Sequence, residues 1–160
     1  MTPVNPKILD SLNWGISAEI KSYVFYKAAA KQATNQEFKE TLLKLAGEEK
    51  GHYQILERQH HSLITSEQWI SYNDIMKQKG LPEINEEMAD VHKDLIEKVH
   101  GAADEREILD IAMDLEKQAY DVFSKAAGRA ADPEEKKTFG FLAGFEKTHI
   151  KIIQGMIDSL

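Results

Sequence analysis

Two pairs of residues in this chain have a spacing that suits metal chemistry: Glu49 with His52, and Glu146 with His149, each a glutamate followed three positions later by a histidine. Residues three apart on an α-helix share a face, so a carboxylate oxygen and an imidazole nitrogen from one pair can grip the same cation. The spacing alone is a weak signal, because the chain has 17 glutamates and 6 histidines and contains two more such pairs, Glu57 with His60 and Glu97 with His100. Context separates them. Glu49 has Leu45, Ala46 and Tyr53 at helical spacing and Glu146 has Leu142, Ala143 and Ile150, so both point toward a core. Glu57 sits among Tyr53, Gln54, His60 and His61, and Glu97 among Lys93, Asp94, His100 and Gly101. Those two read as solvated, although Glu67 precedes Glu97 by the interval that separates Glu19 from Glu49.

Helix geometry adds Glu19 and Glu116. Glu19 and Glu49 lie on either side of a break at Asn35, and Glu116 and Glu146 on either side of one at Asp132 and Pro133. Each is roughly 15 residues, or about 22 Å of helix, from its turn, so antiparallel packing brings all four to one level. Glu19 lies among Gly15, Ile16 and Tyr23, and Glu116 among Ala112, Met113 and Tyr120, which are small or apolar surroundings. Four ionised carboxylates in a core cost several kcal/mol each if nothing compensates them, which exceeds a domain's whole stability. Two divalent ions with these carboxylates and two imidazoles leave a neutral centre, and mixed oxygen and nitrogen donors suit iron or manganese better than calcium or magnesium. The alternative is a protonated or salt-bridged polar core. Tyr23 and Tyr120, four residues after Glu19 and Glu116, and Tyr26, seven after Glu19, are candidates to hydrogen-bond the carboxylates or pass an electron. His60, His61, His92 and His100 read as surface residues. Trp14 and Trp69 read as packing residues, with Trp69 also placed to cover a channel or a subunit contact.

The elements that must position these residues are four long helices. Asn5 and Pro6 read as a cap and first helical position, opening a helix to about Ala33; a second runs from Gln36 to about His61. A third runs from near Asp104 to about Ala130, and a fourth starts at Asp132 and Pro133 and reaches the C-terminus. The segment 62–103 is too long for a tight turn and reads as a crossover, divided at Gly80-Leu81-Pro82, with an additional helix over Ile84–Val99 that the acidic run Glu83 to Glu87 helps to start. Residues 19–52 align without gaps on residues 116–149 at an offset of 97, with 14 of 34 positions identical. Glu19, Tyr23, Glu49 and His52 recur as Glu116, Tyr120, Glu146 and His149. A repeated helical hairpin predicts a pseudo-twofold bundle in which equivalent residues face one axis. The expectation is a single all-α domain over 1–160, with hairpins over 5–61 and 104–160, in the topology of ferritin-like four-helix bundles.

Composition narrows the function. A 42% hydrophobic share and 29% charged share suit a chain that folds by itself, and a net charge of -7 argues against nonspecific nucleic-acid binding. No stretch approaches the roughly 20 apolar residues of a membrane span, and Met1 to Lys7 lacks the order of a signal peptide, so a cytoplasmic location is expected. Cysteine is absent, which removes zinc ribbons, iron-sulfur clusters and thiol catalysis.

With the mirrored glutamates and Glu-x-x-His pairs in place, the whole chain resembles the rubrerythrin family of ferritin-like di-iron carboxylate proteins. The resemblance implies two iron ions, with manganese or zinc as substitutes, bridged by Glu49 and Glu146. Glu19 and Glu116 would be terminal ligands, and His52 and His149 would cap one ion each. It further implies an oxidoreductase that reduces hydrogen peroxide or dioxygen, a protective role in oxidative stress, and a homodimer. Iron storage or buffering is the non-enzymatic alternative, and a manganese-loaded or metal-free structural module a third. Two features depart from the family. With no cysteine there is no rubredoxin module, so electrons are expected from an external donor. Ala119 stands where rubrerythrins carry an additional glutamate one turn after Glu116, which implies that both histidines stay bound in each oxidation state and that the preference for peroxide over oxygen is weaker.

Overall fold

Side-chain caps set where the long helices begin in the computed structural model, which describes residues 6–160. Helix α1 spans Pro6–Gln32; the cap expected at Asn5 lies outside the described residues. Helix α2 (Gln36–Ser66) follows Asn35, whose side-chain oxygen accepts the Phe38 N–H at 3.0 Å. Three short helices come next, α3 (Tyr72–Met76), α4 (Glu86–Asp90) and α5 (Lys93–His100). Helix α6 (Glu105–Arg129) follows Asp104, which accepts from Glu107 at 2.9 Å, and α7 (Pro133–Asp158) follows Asp132, which accepts from Glu134 and Glu135. Each such cap stabilises its helix by roughly 1 kcal/mol. The described residues contain no strand.

The result is an all-α, ferritin-like bundle. α1 packs along α2, α6 along α7, and α1 against α6. Gly15 lies against Phe123 while Tyr26 reaches Glu116, so α1 and α6 run antiparallel. One apolar cluster fills the end built from Phe25, Ala29, Leu42, Leu45, Leu109 and Ile153, and another fills the end built from Leu12, Leu56, Phe123, Phe139 and Leu142. The predicted ligands occupy the layer between them.

The crossover differs from its expected form in three ways. α2 continues to Ser66 rather than ending near His61, because Gln59, Ser62 and Leu63 remain buried and carry the helical stripe forward through polar side chains. The Gln59 amide pairs with both the N–H and the C=O of Ile70, each at 3.0 Å, so a buried polar group anchors the loop. The single helix expected over Ile84–Val99 is two, broken at Val91 and His92. The break lets Leu95 and Val99 join the first cluster while Met88, Ala89 and Ile96 cover Ile20, Val24 and Tyr53. The one-turn α3 had no periodic signal, being too short to show one; it is set by Ser71, which accepts the Asp74 N–H at 3.2 Å. Of the acidic run, Glu86 and Glu87 do occupy a first turn, whereas Glu83 precedes the helix and pairs with Lys50.

α1 passes close to its neighbours at Gly15: a Cβ there would stand 2.9 Å from Phe123 and 3.0 Å from Leu56. It lies one turn before Glu19, so the same approach that packs the helices sets the depth of a ligand. Gly15→Ala is therefore expected to destabilise the protein by about 1–3 kcal/mol despite its gain in helix propensity. Gly47→Ala, at a position with nothing within 4 Å, should instead stabilise by roughly 0.5–1 kcal/mol. Chemical denaturation of both variants checks the pair; equal effects would contradict the tight contact.

Candidate metal centre

α1 supplies Glu19, α2 supplies Glu49 and His52, α6 supplies Glu116, and α7 supplies Glu146 and His149. All six predicted residues meet in the central layer, and none is more than 5% exposed. Their donor atoms form two groups, Glu19, Glu49, His52 and Glu146 in one and Glu49, Glu116, Glu146 and His149 in the other, with the atoms of each group within 4.8 Å of one another. Glu49 and Glu146 belong to both. His52 Nδ1 faces Glu146 at 3.3 Å, Glu19 at 3.5 Å and Glu49 at 3.6 Å. His149 Nδ1 faces Glu49 at 2.9 Å, Glu116 at 3.3 Å and Glu146 at 3.4 Å. The pseudo-twofold expected from the repeat thus appears as two matching donor sets around a shared pair of carboxylates.

The orphaned atoms test whether cations fit. Both oxygens of Glu19, both of Glu146, Oε2 of Glu116 and Nδ1 of His52 are buried without a hydrogen-bond partner. Buried polar atoms are almost always satisfied, so this concentration in one layer matches a site whose partners are ions. Hard oxygen donors with two imidazoles suit iron, manganese or zinc.

Without ions, protons carry the compensation. Burial, reinforced by the neighbouring carboxylates, holds Glu19 and Glu116 well above the usual carboxylate range. Burial acts the same way on Glu49 and Glu146, but the close approach of the other acids and of both histidines outweighs it, leaving Glu49 well below that range and Glu146 at about 2. Burial disfavours a charged imidazole, yet Glu146 and Glu49 raise His52 to about 9, and Glu116, Glu146 and Glu49 raise His149 further. Two acids, two carboxylates and two imidazolium groups sum to neutrality.

Of the three candidate tyrosines, Tyr26 alone among the described residues bonds a ligand: its hydroxyl donates to Glu116 Oε1 at 2.7 Å. The bond crosses from one repeat to the other, rather than returning to Glu19. Tyr23 and Tyr120 are half-buried packing residues. Glu57, His60, Glu97 and His100 join neither donor group; His61 and His100 are exposed, while His60 and His92 are half-buried rather than fully at the surface. Trp69 packs near Phe139, with ring centroids 6.0 Å apart, whereas Trp14, also expected to pack, is 41% exposed. Ala119 is buried among Leu12, Leu56 and Phe123. One residue went unseen in the sequence: Glu48, whose Oε2 lies 3.0 Å from His149 Nε2. Its neighbours gave it no inward signal, and only the register of α2 against α7 reveals the contact.

Paired Glu and Glu-x-x-His side chains on facing helices of an antiparallel bundle are the donor arrangement of ferritin-like metal-binding proteins, and these clusters could hold metal in the same way. The chain belongs to the rubrerythrin family, whose sequence profile matches residues 10–157. No curated protein matches the sequence. Among solved structures the chain is similar to a hypothetical protein from Pyrococcus furiosus, at 22% identity and a TM-score of 0.67 over 94% of this chain and 88% of that one. That likeness concerns the fold.

Loading two divalent ions must displace the protons on Glu19, Glu116, His52 and His149, so about four protons per chain should be released near neutral pH. A dye in weak buffer would record them, and release of fewer than two would contradict this charge assignment. The ion-free protein also gains stability from protonated His52, whose pKa is about 9 when folded and 6.5 ordinarily. That contribution, on the order of 3 kcal/mol, is full below about pH 6.5 and lost as pH rises through about 9. Thermal unfolding in chelator at pH 6 and pH 9.5 should show the loss, and loaded protein should not.

Proposed function

We propose that this chain is a di-iron oxidoreductase that reduces hydrogen peroxide or dioxygen with electrons from a separate donor, in a cytoplasmic role against oxidative stress. The observation that carries the reading is the sharing of Glu49 and Glu146 between two donor groups, which fits two adjacent ions bridged by both. Glu19 and His52 would complete one position, and Glu116 and His149 the other. Held there, a ferrous pair would supply two electrons, enough with two protons to convert hydrogen peroxide to two waters or dioxygen to hydrogen peroxide.

The chain's own residues do the rest. Apolar clusters on both sides keep water from the layer. The neutral Tyr26 hydroxyl, its pKa raised by burial and by Glu116, holds that carboxylate in place. Glu48 and Phe145 are 39% and 38% exposed and lie directly on His149 and His52, so the imidazoles sit one side chain below the surface. Such a cover suits a small oxidant and a short proton route to solvent, not a large organic substrate. No helix among the described residues is long and apolar enough to cross a membrane. A homodimer is part of the proposal; iron storage would instead call for a closed shell, which solution mass measurement distinguishes.

Anaerobic iron loading should give about two irons per chain, since each donor group offers four ligands. Glu49→Ala and Glu146→Ala should each hold one or none, to the same degree. A value near one in the wild type, unchanged by excess iron, would count against the dinuclear reading. Stopped-flow oxidation of the ferrous protein should be at least about tenfold faster than in either variant with peroxide and with oxygen, a loss of about 1.4 kcal/mol or more in barrier lowering.

A further inference from the structure

The two halves of the centre match in their six candidate ligands but not in what holds those ligands from outside. Superimposing the repeats by the offset of 97 pairs Glu48 with Phe145 and Tyr26 with Phe123. Glu48 on α2 reaches His149 Nε2 at 3.0 Å; its counterpart Phe145 on α7 lies over His52, with ring centroids 5.0 Å apart, and offers that ring no acceptor. Tyr26 on α1 donates to Glu116 Oε1 at 2.7 Å; its counterpart Phe123 on α6 has no hydroxyl for Glu19. Both polar partners therefore serve the same half, and two phenylalanines stand at the equivalent places on the other. Of the orphaned atoms in the layer, both oxygens of Glu19 and Nδ1 of His52 belong to one half, Oε2 of Glu116 to the other, and both oxygens of Glu146 to the shared pair, whereas His149 is bonded through both ring nitrogens and Glu116 through Oε1.

We propose that Glu48 and Tyr26 are positioning residues that make the two metal positions unequal, so that the position built on Glu116 and His149 fills first and holds its ion more tightly than the one built on Glu19 and His52. A carboxylate accepting the remote N–H of a ligating imidazole fixes which nitrogen faces the metal, locks the ring and raises its basicity. With Glu48 on Nε2, His149 keeps Nδ1 toward the three carboxylates around it, so that its lone pair is presented to the ion once the Nδ1 proton is displaced. His52 has no such acceptor from Phe145, so when the ion displaces its proton nothing on that side selects the nitrogen that faces the metal, and the ring must be ordered as the ion arrives. Tyr26 likewise fixes Oε1 of Glu116, the oxygen that faces His149 Nδ1 at 3.3 Å, so the ordering cost of that carboxylate is already met before binding. Because Phe145 is 38% exposed, the difference between the halves does not depend on core packing at that position and can be reversed by substitution.

This inference rests on the dinuclear reading and is tested by equilibrium titration of the full-length, ion-free protein with Co2+, followed by visible absorption and calorimetry. The wild type should bind two ions in two resolved steps. Glu48→Gln should lower the tighter constant about tenfold to a hundredfold and leave the weaker one within about twofold, the range expected for loss of such a partner. Tyr26→Phe should act on the same step. Phe145→Glu, which gives His52 the acceptor it lacks, should raise the weaker constant about tenfold, a gain that a merely structural role would not produce. Two steps that respond to none of the three substitutions, or a Glu48→Gln loss shared equally between them, would overturn the inference while leaving two ions bound. Failure to bind Co2+ at all would overturn both this inference and the dinuclear reading.

Discussion

Charge neutrality in one buried layer is the constraint on which the rest of this structure depends. Four glutamates with at most 1% exposure cannot all be ionised between two apolar clusters unless positive charge enters the same layer. Two imidazolium groups and two carboxylic-acid protons meet the requirement without ions, and two divalent cations meet it with them. Protons and cations are thus alternatives at the same buried atoms.

The scaffold follows from that layer. Ligands at one level on four helices require helices of similar length on either side of it. α1, α2, α6 and α7 meet that need, with turns at Asn35 and Asp132 roughly equidistant from the glutamates they separate. The antiparallel pairing of α1 with α6 then demands a connection that travels the length of the bundle, which is why 67–104 wraps the outside instead of turning tightly. Its short helices owe their places to the clusters they cover, Ile75 and Val99 being fully buried, rather than to propensity of their own.

These origins explain what was legible in the sequence. The six central residues could be found because a repeat marked them twice and because their neighbours at helical spacing were apolar, whereas Glu57 and Glu97 carried the same motif among polar neighbours. Helix starts were legible at Asn35, Asp104 and Asp132 because a cap is a local device. The end of α2 was not, since burial of Gln59 and Ser62 depends on the Ile70 and Gln68 backbone, which no window around the helix contains. Tyr26 was legible as a candidate but not its partner: the hydroxyl crosses to Glu116, 90 residues away. A large aromatic on an amphipathic helix can lie at the stripe's edge, as Trp14 does at 41% exposure, and only the position of its neighbours decides.

The same reasoning accounts for where the symmetry of the repeat stops. Neutrality acts on groups inside the layer, so removing one carboxylate or imidazole from either half would leave an uncompensated charge or an empty ligand position. It does not act on residues that touch the ligands from outside. Glu48 is 39% exposed and its charge is met by solvent as well as by His149, so a phenylalanine at the equivalent place carries no electrostatic cost. Phe123, fully buried against Gly15, is fixed by packing instead, and a hydroxyl there would need a partner within the core. The centre is therefore symmetric where low dielectric forbids change and unequal where water or packing permits it, and that boundary runs between the six central residues and the side chains that hold them.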